Sequence, residues 1–123
     1  MIIVLNTAHE GATLIKVLPK SGGAVEYTHE GEDVVAALQQ ALEKHAGEML
    51  QGICPIVGAG RFSATRRAVC AANAVALAHN SKAVAIPLEV WDNTAEIIKV
   101  FKTASSHFAT ARYSAPPSIT PPT

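Results

Sequence analysis

Two His-Glu dipeptides are the residues whose types come nearest to a known catalytic pattern. His9-Glu10 and His29-Glu30 both carry the opening of a zinc-protease motif, which needs a second histidine four residues after the first on one helix face. Those positions hold Thr13 and Asp33. We therefore interpret both dipeptides as turn residues on the surface, and the sequence predicts no metal site.

Two cysteines are the remaining candidate nucleophiles. Cys54 lies in an apolar run, and Cys70 lies among alanines in a segment of helical pattern. Neither has metal-ligand spacing or a neighbour that would stabilise a thiolate, and a thiol in such surroundings usually packs as a small apolar group. The sequence thus predicts structural cysteines, no cofactor and no catalytic constellation of its own.

The segment 58–63, Gly-Ala-Gly-Arg-Phe-Ser, could bind phosphate. It falls between a predicted strand and a predicted helix, where backbone N–H groups at a helix N-terminus can hold an anion. It lacks the lysine of a P-loop and the third glycine of a dinucleotide fingerprint. A tight turn that serves packing is an equally good interpretation.

The elements that must position these residues follow from hydrophobic periodicity. Apolar or alternating runs predict strands at Met1–Leu5, Ala12–Leu18, Ala24–His29, Gly52–Val57 and Ala83–Ile86. Helical spacing predicts helices over about 34–45, 63–78 and 94–109, with Asp92 or Asn93 capping the third. The first three strands form an antiparallel meander, and strand-helix-strand units imply right-handed parallel crossovers. The predicted fold is α/β, with a mixed five-stranded sheet and two to three helices.

Composition limits the class of protein. The 123 residues suit one domain, 49% are hydrophobic and 16% charged, and ten basic residues balance ten acidic ones. That balance gives no general sign of a nucleic-acid surface. No apolar run approaches the roughly 20 residues that cross a bilayer, and no leader pattern follows Met1. The expectation is a cytoplasmic protein without membrane contact.

The second predicted helix is apolar almost all round. Seven alanines, two valines and a leucine lie between positions 64 and 78, and a helix of this kind must be covered on more than one side. One side packs on the sheet, and a partner protein could cover another. A wholly internal core helix is the alternative. Arg61, Arg66 and Arg67 lie near its first turn, where the helix dipole disfavours cations, so they could meet an acidic partner, RNA phosphates or solvent.

Two segments resemble the bacterial TsaB (YeaZ-like) family. The first is residues 2–8, Ile-Ile-Val-Leu-Asn-Thr-Ala, with the turn into Ala12-Thr13-Leu14; it is similar to that family's opening strand and Asp-Thr turn. The second is residues 58–66, which match the family stretch Gly-Pro-Gly-Ser-Phe-Thr-Gly-x-Arg without gaps and are identical at Gly58, Gly60, Phe62 and Arg66. The resemblance covers residues 1–90.

The resemblance implies a single actin-like, ribonuclease H-like lobe and a role in making threonylcarbamoyladenosine (t6A) in transfer RNA. Members of that family are not the catalyst; they bind the related TsaD enzyme, or a second copy of themselves, through the two helices of this lobe, and tRNA is a further expected contact within the complex. The expected interface residues lie on the first two helices: Leu38, Leu42, Phe62, Arg66, Val69, Ala72 and Val75. A vestigial phosphate loop would comprise Asn6, Thr7, Gly58 and Gly60.

Three departures from the family pattern shape this expectation. Asn6 replaces the usual aspartate and cannot supply its negative charge near a metal and nucleotide. Ala59, Arg61 and Ala64 replace small or proline residues of the loop. A second lobe is missing: residues 1–90 form the lobe, 91–112 an extra helix in place of the second lobe, and 113–123 a proline-rich arm. A self-associating homodimer and a small nucleotide-binding module remain as alternatives to the scaffold.

Overall fold

The architecture is described for residues 1–110 in a computed structural model. The strands are β1 (Ile2–Asn6), β2 (Ala12–Leu18), β3 (Val25–Glu30), β4 (Gly52–Val57), β5 (Lys82–Ala83) and β6 (Ile86–Pro87). The helices are α1 (Val34–Lys44), α2 (Phe62–Ala78) and α3 (Thr94–Thr103), with a short 3₁₀ turn at Leu88–Val90 before α3. The predicted arm at 113–123, and the last two residues of the predicted 91–112 segment, lie outside the described residues.

The sheet combines a meander with parallel crossovers. Its order is β3-β2-β1-β4-β5, and β6 also pairs with β4. β1, β2 and β3 are antiparallel, whereas β4 is parallel to β1, β5 and β6. The predicted fold class, a mixed α/β sheet built from a three-stranded meander and crossover strands, is confirmed.

Helices cover both faces of the sheet, which explains the unbroken apolar runs of its central strands. Ile3 and Leu5 of β1 point into the core under α1 and α2. Ile2 and Val4 point to the other face, where α3 packs with Ile97 and Phe101. Side chains alternate along a strand, so a strand covered on both sides needs apolar residues at every position.

The predicted fifth strand is broken into two pieces of two residues each. The Val84 N–H donates to the Ile53 carbonyl over 3.0 Å, so Ile53 turns its polar groups toward this neighbour. Pro55, two residues further, faces the same neighbour but has no N–H to donate. Pairing with β4 therefore stops after β5 and resumes only at β6.

The third helix ends earlier than its pattern predicts. Asn93 caps it as expected, its side chain accepting from the Glu96 N–H at 3.1 Å. Ala104 already has extended backbone, and the Ser106 hydroxyl bonds both backbone groups of Phe108. Serine side chains that bond nearby backbone compete with helix. Phe108, predicted on the helix face, is consequently 59% exposed.

Gly52 is the position where α3 comes closest to the sheet. A Cβ there would collide with the Phe101 ring and lie 2.7 Å from the Lys82 carbonyl oxygen. Gly52→Ala should lower the free energy of unfolding by about 1–3 kcal/mol because the ring must leave its site. Urea denaturation measures this. Gly23→Ala is the matched control, since nothing lies within 4 Å of its Cβ; equal stability losses in the two variants would contradict the packing.

Candidate functional site

The loops after β1 and β4 meet at the candidate phosphate site and close on each other. Gly60 has φ +80°, and a Cβ there would lie 2.9 Å from the Ala8 Cα. The Thr7 hydroxyl donates to the Ala64 carbonyl at 3.2 Å. The Asn6 side-chain oxygen accepts the Ala8 N–H at 2.9 Å. The Thr7 hydroxyl thus ties the loop after β1 to the start of α2, and the Asn6 side chain is used within its own loop.

The space beside this junction is small. A cleft bounded by Thr7, Thr13, Glu32 and Arg67 has a free volume of about 10 Å³, which is roughly the room of one water molecule. A phosphate group needs more room than this. As folded, the junction is a packing contact between two loops.

Two of the three arginines near the start of α2 are held by carboxylates. Arg61 contacts Glu32 and lies 3.9 Å from Glu10. Arg67 lies 3.4 Å from the same Glu32. These pairs offset the unfavourable helix dipole at this end. Arg66 is exposed and has no ion pair within the described residues, so its charge is the one left available to a partner.

The helix α2 exposes a continuous stripe along its length. Seven of its 17 residues are buried against the sheet and α1. The outer stripe of α2, as we name it, lies on the opposite side and comprises Ser63, Arg66, Cys70, Ala74 and Leu77. Its C-terminal half is apolar, and Leu77 is 70% exposed. The helix is therefore neither fully internal nor fully covered.

The predicted interface residues fall into two groups. Leu38, Val69 and Ala72 are buried in the core, so the folded chain cannot offer them to a partner. Alanine is apolar but small enough to occur on both the buried and the exposed face of a helix. The alanine-rich sequence of α2 therefore could not show which face is buried. The half-buried or exposed members are Leu42, Phe62, Arg66 and Val75.

The first helix adds to this exposed surface. Leu42 and Val75 are partly buried and pack against the core shared by α1 and α2. Val35, one turn before the buried Leu38, is 47% exposed. Both helices thus lie on one face of the sheet and leave apolar side chains in contact with solvent.

Cys54 is buried as predicted, whereas Cys70, also predicted to pack as a small apolar group, is exposed because it lies on the side of α2 that faces away from the sheet. Burial raises the pKa of the Cys54 thiol to about 12, against a smaller lowering by Lys82, so this thiol stays protonated. Among residues 1–110 no group of three metal-ligating side chains comes together. The helices of the same part of the chain include none long and apolar enough to cross a membrane.

One cluster of polar side chains was not predicted from the sequence. Tyr27 on β3 contacts His45 at the end of α1, which lies beside Glu48. The three-residue spacing of His45 and Glu48 was the signal in the sequence, but a tyrosine 18 positions earlier can be added only once the sheet is known.

Strand order, crossover and helix placement define a class: one lobe of the actin-like fold, with a closed loop junction and an exposed helix pair. Two solved structures share this fold. YeaZ from Pseudomonas aeruginosa superposes with a TM-score of 0.60 at 15% identity over 76% of this chain and 49% of that one. A P. aeruginosa protein described as uncharacterized, with similarity to peptidase YEAZ, gives 0.59 with the same identity and coverage. The chain shares the fold of the part of YeaZ on which it superposes, as the sequence resemblance predicts.

These likenesses concern the fold. The chain spans about half the length of the solved structures that it matches. No protein-family model matches the sequence, and no curated protein matches it significantly.

The burial pattern of α2 predicts opposite outcomes for two neighbouring alanines. Ala72 is 0% exposed, so Ala72→Glu buries a carboxylate without a partner and should cost more than about 4 kcal/mol, enough to unfold the chain. Ala74 is exposed, and Ala74→Glu should keep the native circular dichroism spectrum and unfolding midpoint. A folded Ala72→Glu variant would contradict the assigned helix face.

The closed loop junction predicts weak or absent nucleotide binding. Titration of the isolated protein with ATP and magnesium should give no heat beyond dilution, since Thr7 and Asn6 already bond to backbone groups. Isothermal calorimetry at micromolar protein is the measurement. Saturable binding that is lost in Thr7→Val would show that the junction opens.

Proposed function

We propose that this protein is a non-catalytic partner subunit in t6A modification of tRNA in the cytoplasm, and that it binds a TsaD-type enzyme through α1 and α2. The observation that carries the proposal is the outer stripe of α2, which stays exposed although the rest of that helix is buried. The resemblance of residues 1–90 to the TsaB family and the likeness in fold to YeaZ supply the kind of partner.

The chemistry of the outer stripe of α2 suits association. Cys70 and Ala74 are small, so a second helix can approach closely, and Leu77 offers a large apolar side chain that is 70% exposed. Interfaces of stable complexes have an apolar centre and a polar rim in which arginine is frequent. Arg66, free of ion pairs among the described residues, would lie at that rim, and a carboxylate of the partner is its natural contact.

The state of the loop junction supports a non-catalytic role. In actin-like ATPases the loops after the first and fourth strands hold the nucleotide phosphates. Here the side chains of Asn6 and Thr7 bond to Ala8 and Ala64 instead. A chain that keeps the fold, closes this junction and leaves a helix face open is better suited to binding than to hydrolysis.

Ala74→Glu tests the proposed interface. The charge would be placed at the centre of the outer stripe and would have to be desolvated on binding. The affinity for the TsaD-type enzyme of the same organism should fall by at least about tenfold, or 1.4 kcal/mol, as measured by calorimetry. Ala95→Glu is the matched control because Ala95 is an exposed alanine of α3, on the other side of the sheet.

The outcomes separate the candidate partners. Loss of binding with Ala74→Glu but not with Ala95→Glu supports the interface. Equal affinities for both variants would remove α2 from it. Sedimentation velocity of the chain alone tests the alternative: a wild-type dimer that Ala74→Glu dissociates would assign the same face to a second copy.

A further inference from the structure

A tyrosine, a histidine and a glutamate form a chain of contacts between the sheet edge and the end of α1. The Tyr27 hydroxyl lies 2.9 Å from His45 Nε2. His45 Nδ1 lies 3.4 Å from Glu48 Oε2. The other Glu48 oxygen accepts the Lys20 N–H at 3.2 Å, so Glu48 is itself held in place. This cluster lies away from the outer stripe of α2 and plays no part in the function proposed above.

The Glu48 carboxylate, 3.4 Å from His45 Nδ1, favours one direction of proton transfer. An ionised carboxylate only accepts hydrogen bonds, so Glu48 favours the tautomer of His45 with its proton on Nδ1. His45 Nε2 then presents a lone pair, and the Tyr27 hydroxyl donates to it. This is the order of nucleophile, base and orienting carboxylate found where a hydroxyl group is activated.

A cation and a small cleft lie beside Tyr27, and neither His45 nor Glu48 is among the residues that line this cleft. Lys44 Nζ lies 4.2 Å from the centre of the Tyr27 ring. Tyr27 and Lys44 line a cleft between β3 and α1 whose free volume is about 70 Å³. A cavity of roughly 150 Å³ holds a benzene molecule, so this cleft suits a group of a few heavy atoms, the size of an acetyl group.

We propose that Tyr27 is a nucleophile that accepts a small acyl group from a neutral activated ester. His45 Nε2 takes the phenolic proton while the Tyr27 oxygen forms a bond to the ester carbonyl carbon. Lys44 offsets the negative charge that develops on the carbonyl oxygen. The bond from that carbon to the leaving oxygen then breaks, and the leaving alcohol takes the proton from His45. Tyr27 is left as an acyl ester, with Glu48 as a positioning residue.

The charges favour acyl over phosphoryl transfer. Lys44 is the only lysine or arginine that lines the cleft within residues 1–110, and Glu48 lies directly behind His45. A phosphoryl donor would bring several negative charges to a site with one fixed cation. A neutral ester develops a single negative charge, which one lysine can offset.

The probe is para-nitrophenyl acetate, used on the full chain. The expected product carries one acetyl group on the Tyr27 peptide, located by mass spectrometry and removed by hydroxylamine, which cleaves phenyl esters but leaves acetyl-lysine intact. The chain has two tyrosines, so Tyr113 is an internal comparison. Tyr27 should be labelled at least about a hundredfold faster, the factor that a positioned base supplies.

Variants separate chemistry from folding. Tyr27→Phe should abolish the labile label, and Tyr113→Phe should leave it unchanged. His45→Ala should slow labelling of Tyr27 about a hundredfold and leave the rate at Tyr113 unchanged. His45→Gln, which keeps a hydrogen-bonding side chain but no base, should slow it equally at an unchanged unfolding midpoint, which a purely structural role would not produce. Glu48→Gln should slow it less, at an unchanged unfolding midpoint. Labelling of Tyr27 no faster than that of Tyr113, or insensitive to His45→Ala, would overturn the proposal.

Discussion

Burial of β1 and β4 on both faces is the constraint on which the rest of the structure depends. These strands are paired with neighbours on both edges, although the pairing of β4 is interrupted at Pro55 between β5 and β6. Their side chains fill two cores, one under α1 and α2 and one under α3. If either layer were absent, one row of isoleucines, leucines and valines would face water. The position of α2 is therefore set by the sheet, and its exposed side is what remains after that demand is met.

The same constraint explains how much of the fold could be predicted. Strands that are apolar throughout, such as Gly52–Val57, have a clear pattern, and β2 and β4 occur at the predicted residues. The deviations arise from single residues whose effect depends on a neighbour. Pro55 breaks the fifth strand because of the side of β4 that it faces, and Ser106 turns the chain out of α3 by bonding to Phe108. Neither orientation can be read from periodicity alone.

The candidate site was less predictable than the fold, for a related reason. The composition of α2 shows that the helix has more apolar residues than one buried face requires. Because many of its residues are alanine, the sequence does not show which face points toward the sheet. Burial of Ala72 and exposure of Ala74 become visible only when the sheet and α1 are in place. Contacts between distant elements, such as Tyr27 with His45, have still less signal because neither residue belongs to a local pattern.

An actin-like lobe offers two places for function, the loop junction at the strand ends and the outer side of its helix pair. In this chain they differ in how their surfaces are used. At the junction, Thr7 bonds to Ala64, Gly60 lies against Ala8, and Asn6 bonds within its own loop, so a ligand would have to replace existing bonds. On the outer stripe of α2, Ala74 is exposed and Leu77 is 70% exposed. Binding at the stripe would therefore bury apolar surface that residues 1–110 leave open, and this asymmetry is the reason for proposing association in place of nucleotide chemistry.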